Sequence, residues 1–363
     1  MNLRLMKTID RFIGRTFARL LPIPAVPAIQ PLPQAILLIR PGGTGDAVLL
    51  APAIIRLKKN YPDVIITVLA EHRNAGVFAL VPAVDQVYCY DSPSEFMHVL
   101  RGCYDMVIDT EQWHRLSAVV ARLIRGPVKI GFGSNERRRM FTHTVTYSHD
   151  DYEADSFNRL LSPLRITSSR YTVPFLKVSD EARATATSLL APLDGRPFVV
   201  LFPGASITER RWGVERFHQV AETLSGQGYS IVVVGGQDEY QDGEVIIRAG
   251  GLNLAGHTSL AETAGILEQS QLLISGDSGV LHIAVGLDLP TVSLFGPGIA
   301  AKWAPRGVRD IVINHRLDCS PCTRFGTTPP CPYGARCMRE ITVDEVIEAA
   351  LSILEQGNNN SKG

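Results

Sequence analysis

Two series of short, uninterrupted apolar runs set the rhythm of this chain. The first comprises AILLIR (Ala35 to Arg40), VIITVLA (Val64 to Ala70), QVYCY (Gln86 to Tyr90), DMVID (Asp105 to Asp109) and VKIGF (Val128 to Phe132). The second comprises FVVLF (Phe198 to Phe202), SIVVVGG (Ser230 to Gly236), QLLISG (Gln271 to Gly276), TVSLF (Thr291 to Phe295) and DIVIN (Asp310 to Asn314). Each run has the length of a strand, and helical patterns such as Asp46 to Asn60 stand between them. Apolar positions that run on, instead of alternating with polar ones, mean that both faces of each sheet are covered, as in parallel α/β sheets. The rhythm breaks over 134–195, where the basic Arg137 to Arg139, a helical stretch near Glu153 to Leu164 and Gly195-Arg196-Pro197 intervene. The pattern predicts two Rossmann-like parallel-sheet domains, 35–180 and 181–356, that face each other across a ligand cleft at the carboxyl ends of their strands.

The ends read differently. Residues 1–21 mix Arg4, Lys7, Arg11, Arg15 and Arg19 with Leu5, Ile9, Phe12, Ile13, Phe17 and Leu20, a spacing that predicts an amphipathic helix. Arginines interrupt the apolar stretch that a signal peptide requires. Such a helix either lies on an anionic membrane surface or packs its apolar face on the protein body. Pro22, Pro24, Pro27, Pro31 and Pro33 then hold a linker extended, so 1–34 reads as helix plus linker. A last helix over Val343 to Glu355 precedes GNNNSKG, read as a disordered tail at 357–363.

Length and composition agree with this division. At 363 residues the chain exceeds one domain of roughly 150 residues. Lys+Arg 36 balance Asp+Glu 36, so no global field draws it to nucleic acid. Six cysteines in so long a chain are no secreted disulfide framework, and no apolar run is long enough to span a bilayer. A cytoplasmic protein is expected. Four of the cysteines, Cys319, Cys322, Cys331 and Cys337, share one Pro/Gly-rich loop as C-x2-C-x8-C-x5-C. They predict a structural Zn or Fe site or a set of reduced thiols, and the CxxC pair lacks the strand context of a redox motif. Cys89 and Cys103 read as buried apolar residues.

The loop Arg40-Pro41-Gly42-Gly43-Thr44-Gly45-Asp46 joins the first strand to the first helix. It lacks the third glycine of a dinucleotide fingerprint and the Gly-Lys-Ser/Thr of a P-loop. Gly43, Thr44 and Gly45 let backbone approach a ligand. Asp46 is read either as a capping or first-turn residue or as a general base. In the second half, Gly204 to Ser206 offer free amides after a strand, and Arg210 or Arg211 can neutralise phosphate. Asp277-Ser278-Gly279 opens a helix whose amino end suits a diphosphate, with His282 one turn further in. Glu239 follows another strand, as a ribose-binding carboxylate or as a solvated loop acid.

The run LLIRPGGTGDAVLLAPAIIRLKKNYPD, the PGAS at Pro203 to Ser206 with RRWGVERF from Arg210 to Phe217, and GDSGVLHIAVGLDLPTVSLFGP from Gly276 to Pro297 resemble the ADP-heptose:lipopolysaccharide heptosyltransferases, glycosyltransferase family 9. The resemblance covers roughly residues 35 to 350 and keeps the motif order. It implies a GT-B fold and inverting transfer of a heptose or related sugar from a nucleotide-sugar, with ADP-heptose as donor. The implied acceptor is a lipopolysaccharide-core or other lipid-linked glycan, met at the inner membrane through residues 1–21. Asp46 matches the family's proposed base. Gly204, Ser206, Arg210, Arg211, Asp277, Ser278, Gly279 and His282 match its donor-binding segments, and Glu239 matches by position. No cofactor is expected for catalysis, because the cleft motifs contain no Asp-x-Asp pair to hold a divalent ion. A nucleotide-sugar epimerase or hydrolase, or a degenerate glycan-binding protein, is the alternative.

Overall fold

The computed structural model describes residues 10, 14–30, 32–166, 171–324 and 327–360. The chain forms two compact units, Met1–Tyr171 and Thr172–Gly363, dividing before the 180/181 boundary expected from sequence. The first holds β1 (Ala35–Ile39), β2 (Ile65–Ala70), β3 (Gln86–Cys89), β4 (Met106–Asp109), β5 (Val128–Phe132) and β6 (His143–Val145). These make one parallel sheet in the order β3-β2-β1-β4-β5-β6. The second holds β7 (Phe198–Phe202), β8 (Ser230–Val233), β9 (Leu252–Asn253), β10 (Leu272–Gly276), β11 (Thr291–Leu294) and β12 (Asp310–Ile313). Their parallel sheet runs β12-β11-β10-β7-β8-β9, the first order traversed from the other edge.

The ten long apolar runs all became strands, and the two strands that lack one, β6 and β9, are short additions at sheet edges. In each sheet the chain reverses its direction of growth after three strands. Loops after β1 and β4, and after β7 and β10, therefore part to opposite faces and leave a crevice at their carboxyl ends. The Gly43 to Asp46 segment follows β1, Gly204 to Ser206 follow β7, and Asp277-Ser278 follow β10.

The N-terminal helix takes one of its two expected alternatives, whereas the C-terminal tail and Cys103 depart from the sequence reading. The described part of the first helix is Arg15–Leu20, and it packs on the body through the buried Ala18. Arg15 and Arg19 both pair with Glu136, at 2.9 and 3.2 Å. Phe17 and Leu20 remain exposed, as do Ile23 and Val26 in the linker. Most of residues 1–13 lie outside the described residues. At the other end the last helix runs Val343–Asn360, so residues 357–360 are helical instead of the expected tail, and 361–363 lie outside the description. Cys103 is exposed where a buried residue was expected.

In the second unit Trp212 ties the loop after β7 to that last helix. Its ring is buried, meets Phe217 edge-on at 5.1 Å, and donates its Nε1–H to the Ile341 carbonyl at 3.0 Å. Met338, Ile341, Val346 and Ala350 belong to the same core cluster. Trp212→Ala removes a large core ring and strands the Ile341 carbonyl. It is expected to destabilise the protein by about 3–5 kcal/mol, read as a lower urea midpoint at unchanged slope.

Candidate active site

In the first unit the backbone turns sharply after β1. Gly42 has φ +106°, a value that favours glycine, and Gly43 occupies the N-cap of the helix Thr44–Asn60. Thr44 is the first helical residue and bonds its hydroxyl to the Arg73 carbonyl at 3.3 Å. Gly45 and Asp46 complete the first turn, so Asp46 is a first-turn carboxylate, placed where the helix dipole favours negative charge. Its side chain is 28% exposed.

Asp46 stands beside Arg40, which is almost wholly buried. Arg40 Nε donates to its neighbour's carbonyl, that of Pro41, at 2.7 Å, and Nη1 donates to the Thr110 carbonyl at 3.1 Å. Its guanidinium lies 5.4 Å from the centre of the Phe157 ring. Nη2 is left to face two carboxylates, Asp46 at 3.6 Å and Glu111 at 3.8 Å. The turn itself is held by Asn74, whose amide donates to the carbonyls of Arg40 and Gly42, and by Glu71, which accepts the Gly42 N–H at 3.2 Å.

Glu111 comes from the end of β4. Burial alone would raise its pKa, but Arg40, His114 and Arg137 and the Trp113 N–H outweigh it and keep the carboxyl below its ordinary value. Tyr147 donates its hydroxyl to Glu153 at 3.1 Å, and Glu153 also accepts from Gln112. Burial raises the Tyr147 pKa, and Glu153, Asp46 and Glu111 raise it further, so the phenol keeps its proton beside three carboxylates. Arg40, Glu111, Tyr147 and Glu153 were not singled out in the sequence. Only Glu111 carried a signal, the abrupt appearance of charge in DTEQ at the end of the apolar β4; the other three acquire their meaning only in the fold.

The second unit assembles most of its expected donor residues. Arg210 and Arg211 diverge. Arg210, 14% exposed, lies 2.9 Å from Asp277, and its Nε is buried without a hydrogen-bond partner among the described residues. Arg211 turns to Glu239 at 3.5 Å and Asp242 at 3.8 Å. Glu239 is buried, not solvated, and accepts the Gly236 N–H at 3.0 Å. It packs so tightly on Gly204 that a Cβ there would fall 2.6 Å from its carboxyl carbon. Ser206 stays exposed at the end of this turn.

The helix Gly279–Gly286 is capped by Ser278, whose Oγ accepts the Leu281 N–H at 3.2 Å. Asp277 therefore does not cap; it pairs with Arg210 across the turn. His282, one turn along, is 3% exposed. Burial pulls its pKa down to about 4, Asp277 partly opposing this and Arg210 adding to it, so the imidazole is neutral at pH 7. It offers a neutral hydrogen-bonding group and no positive charge.

Cys319, Cys322, Cys331 and Cys337 line one cavity of about 170 Å³ together with Glu209, Pro297 and Arg336. None forms a disulfide. Burial raises the pKa of the Cys322 thiol, and the neighbouring Cys331 and Cys319 raise it further. The only three-ligand group among the described residues with all donor atoms within 4.8 Å lies elsewhere, at His72, Cys89 and Asp91.

The arrangement can be compared with known proteins. Residues 94–331 match the family described as glycosyltransferase family 9 (heptosyltransferase). Lipopolysaccharide heptosyltransferase 3 of Escherichia coli is 28% identical over 291 residues, 72% of this chain and 83% of that protein. Among solved structures, a family 9 glycosyl transferase from Veillonella parvula superposes with a TM-score of 0.76 at 21% identity, over 91% of this chain and 99% of that one. The E. coli ADP-heptose lps heptosyltransferase II gives 0.74 at 21% identity, over 90% and 100%. Both place the fold in the GT-B class, with two Rossmann-like parallel sheets. The chain belongs to glycosyltransferase family 9, the heptosyltransferase family.

Proposed function

We propose that this enzyme moves a heptose from ADP-heptose to a lipopolysaccharide-core or related lipid-linked acceptor, with inversion, and that Asp46 is the base. The observation that carries the assignment is the Asp46 carboxylate in the first turn after β1, partly open to solvent and held beside a guanidinium that is itself fixed by two carbonyls. The names of the similar proteins, heptosyltransferases of lipopolysaccharide, support the same donor and acceptor.

In the reaction an acceptor hydroxyl attacks the anomeric carbon while the bond from that carbon to the diphosphate oxygen breaks. The hydroxyl proton passes to Asp46, and ADP leaves with the electron pair. Negative charge grows on the diphosphate, and stabilising it is the largest demand on the protein. The amides of Gly204 to Ser206 and of the Gly279 helix start, with Arg210 and Arg211, meet that demand. Asp277 and Glu239 hold the arginines in place, and Ser278 fixes the helix end. His282, being neutral, donates or accepts a hydrogen bond at the sugar or phosphate. No metal is assigned to this chemistry. The four-thiol loop is read as a structural Zn or Fe site, since its donor set suits either ion and all four thiols line one cavity.

We infer that the enzyme works on the cytoplasmic face of the inner membrane, where a lipid-linked acceptor would be met. Exposed Phe17 and Leu20 beside Arg15 and Arg19 are the features that support this contact. No helix among the described residues is long and apolar enough to cross a membrane.

Three outcomes are expected. Asp46→Asn lowers kcat by roughly 100-fold or more while the affinity for ADP-heptose, measured by calorimetry, is unchanged; undiminished product formation removes Asp46 as base. Donor consumption by the wild-type enzyme at the same rate without acceptor would instead identify a hydrolase or epimerase. For His282, the unfolded chain takes up a proton near pH 6.5 and the folded one only near 4, so stability is retained above 6.5 and lost as pH falls through that interval. The loss is on the order of 3 kcal/mol, and His282→Asn should lack this component in urea unfolding compared at pH 7 and 4.5. Finally, Phe17→Glu with Leu20→Glu should reduce sedimentation with phosphatidylglycerol vesicles and leave turnover of a soluble acceptor intact.

A further inference from the structure

Outside the sites described above, one cluster of ligating side chains is built by the sheet itself. β2 and β3 run parallel with Ala70 opposite Cys89, and the ladder continues as the Tyr90 N–H donates to the Ala70 carbonyl at 3.0 Å. Two residues further along each chain stand His72 and Asp91. The Asp91 carboxylate accepts the His72 N–H at 3.1 and 3.3 Å, and its Oδ1 lies 2.8 Å from His72 Nδ1. Cys89 is two residues before Asp91, and its thiol completes a group whose three donor atoms all lie within 4.8 Å of one another.

We propose that His72, Cys89 and Asp91 form a binding site for a borderline-soft divalent cation of the Zn2+ class, separate from the four-thiol loop. Imidazole nitrogen, thiolate and carboxylate are the three donor types zinc takes, and three protein ligands leave one position for water. The backbone is already pinned for the purpose, since Glu95 accepts the Cys89 N–H at 2.6 Å and Asp91 holds the first residue of the following helix. Electrostatics favour a cation as well. The Glu95 carboxylate at the Cys89 backbone and the Asp91 carboxylate within the cluster place negative charge beside the thiol, which attracts a cation. On binding, Cys89 gives its S–H proton to solvent and the His72 ring nitrogen exchanges its contact with Asp91 for the metal. Cys89 is buried, whereas the His72 side chain is 64% exposed, which leaves the site a route to solvent.

The test uses full-length protein stripped of metal, titrated with Zn2+ against a chromophoric chelator and with Co2+ followed through thiolate charge-transfer absorption. His72→Ala and Cys89→Ser should each lose one equivalent of metal or bind it about tenfold or more weakly. Cys322→Ser, altered only in the other loop, should keep that equivalent. Identical stoichiometry and affinity in wild type, His72→Ala and Cys89→Ser overturn the proposal. If Cys89→Ser fails to fold, the exposed His72→Ala decides alone. An anomalous peak at the zinc edge between these three side chains in Zn2+-soaked crystals is the positional confirmation, and a peak only among the four loop cysteines refutes it.

Discussion

A guanidinium that cannot reach water must find all its partners inside the protein, and Arg40 imposes that condition on the whole carboxyl edge of the first sheet. Two of its nitrogens are taken by backbone carbonyls, one from its own turn and one from the residue after β4. The third is thereby aimed at Asp46 and Glu111. Because β1 and β4 are direct neighbours, Arg40 also locks the two loops that diverge at the crevice. The buried pair of Arg137 with Asp109, 2.8 Å apart, extends this ionic layer along the same edge. Charges here are arranged around a partly exposed carboxylate, and the scaffold beneath them is apolar.

The second unit meets a related problem by close packing. Gly204 admits Glu239, and Gly298 admits Asp277, whose oxygen would lie 2.3 Å from any added Cβ. Each carboxylate then fixes one arginine of a consecutive pair, and the two arginines point to different walls. Trp212, next in the chain, is drawn into the core, so its neighbours must face outward. The thiol-lined loop joins the same structure, since the N–H groups of Cys322 and Thr323 both donate to the Pro297 carbonyl, at 3.1 and 2.9 Å.

How far the sequence foretold this depends on the kind of interaction. The strands were legible because burial on both faces writes an unbroken apolar run, as in AILLI and FVVLF. Asp46, Gly204 and Ser278 were legible because turns after such strands carry recognisable residue types and match family motifs. Arg40, Glu111, Tyr147 and Glu153 were not, since their meaning arises only when β1, β4 and the segment after β6 are brought side by side. Which of Arg210 and Arg211 meets Asp277 was equally hidden, as it follows from where the buried Trp212 anchors the loop. His72, Cys89 and Asp91 lie on separate stretches that only the β2–β3 register aligns. The N-terminal helix was legible as a helix but left its covering open, because an amphipathic pattern does not say whether a membrane or the protein body meets the apolar side.

That each sheet closes over its own core has an evolutionary implication. On the proposed assignment of donor and acceptor, substitutions in the turns after β7 and β10 can retune one ligand's recognition without repacking the unit that carries Asp46, and the reverse holds for the turns after β1 and β4. New pairings of sugar and recipient are thus open to stepwise mutation, one half at a time, with no intermediate that must sacrifice both.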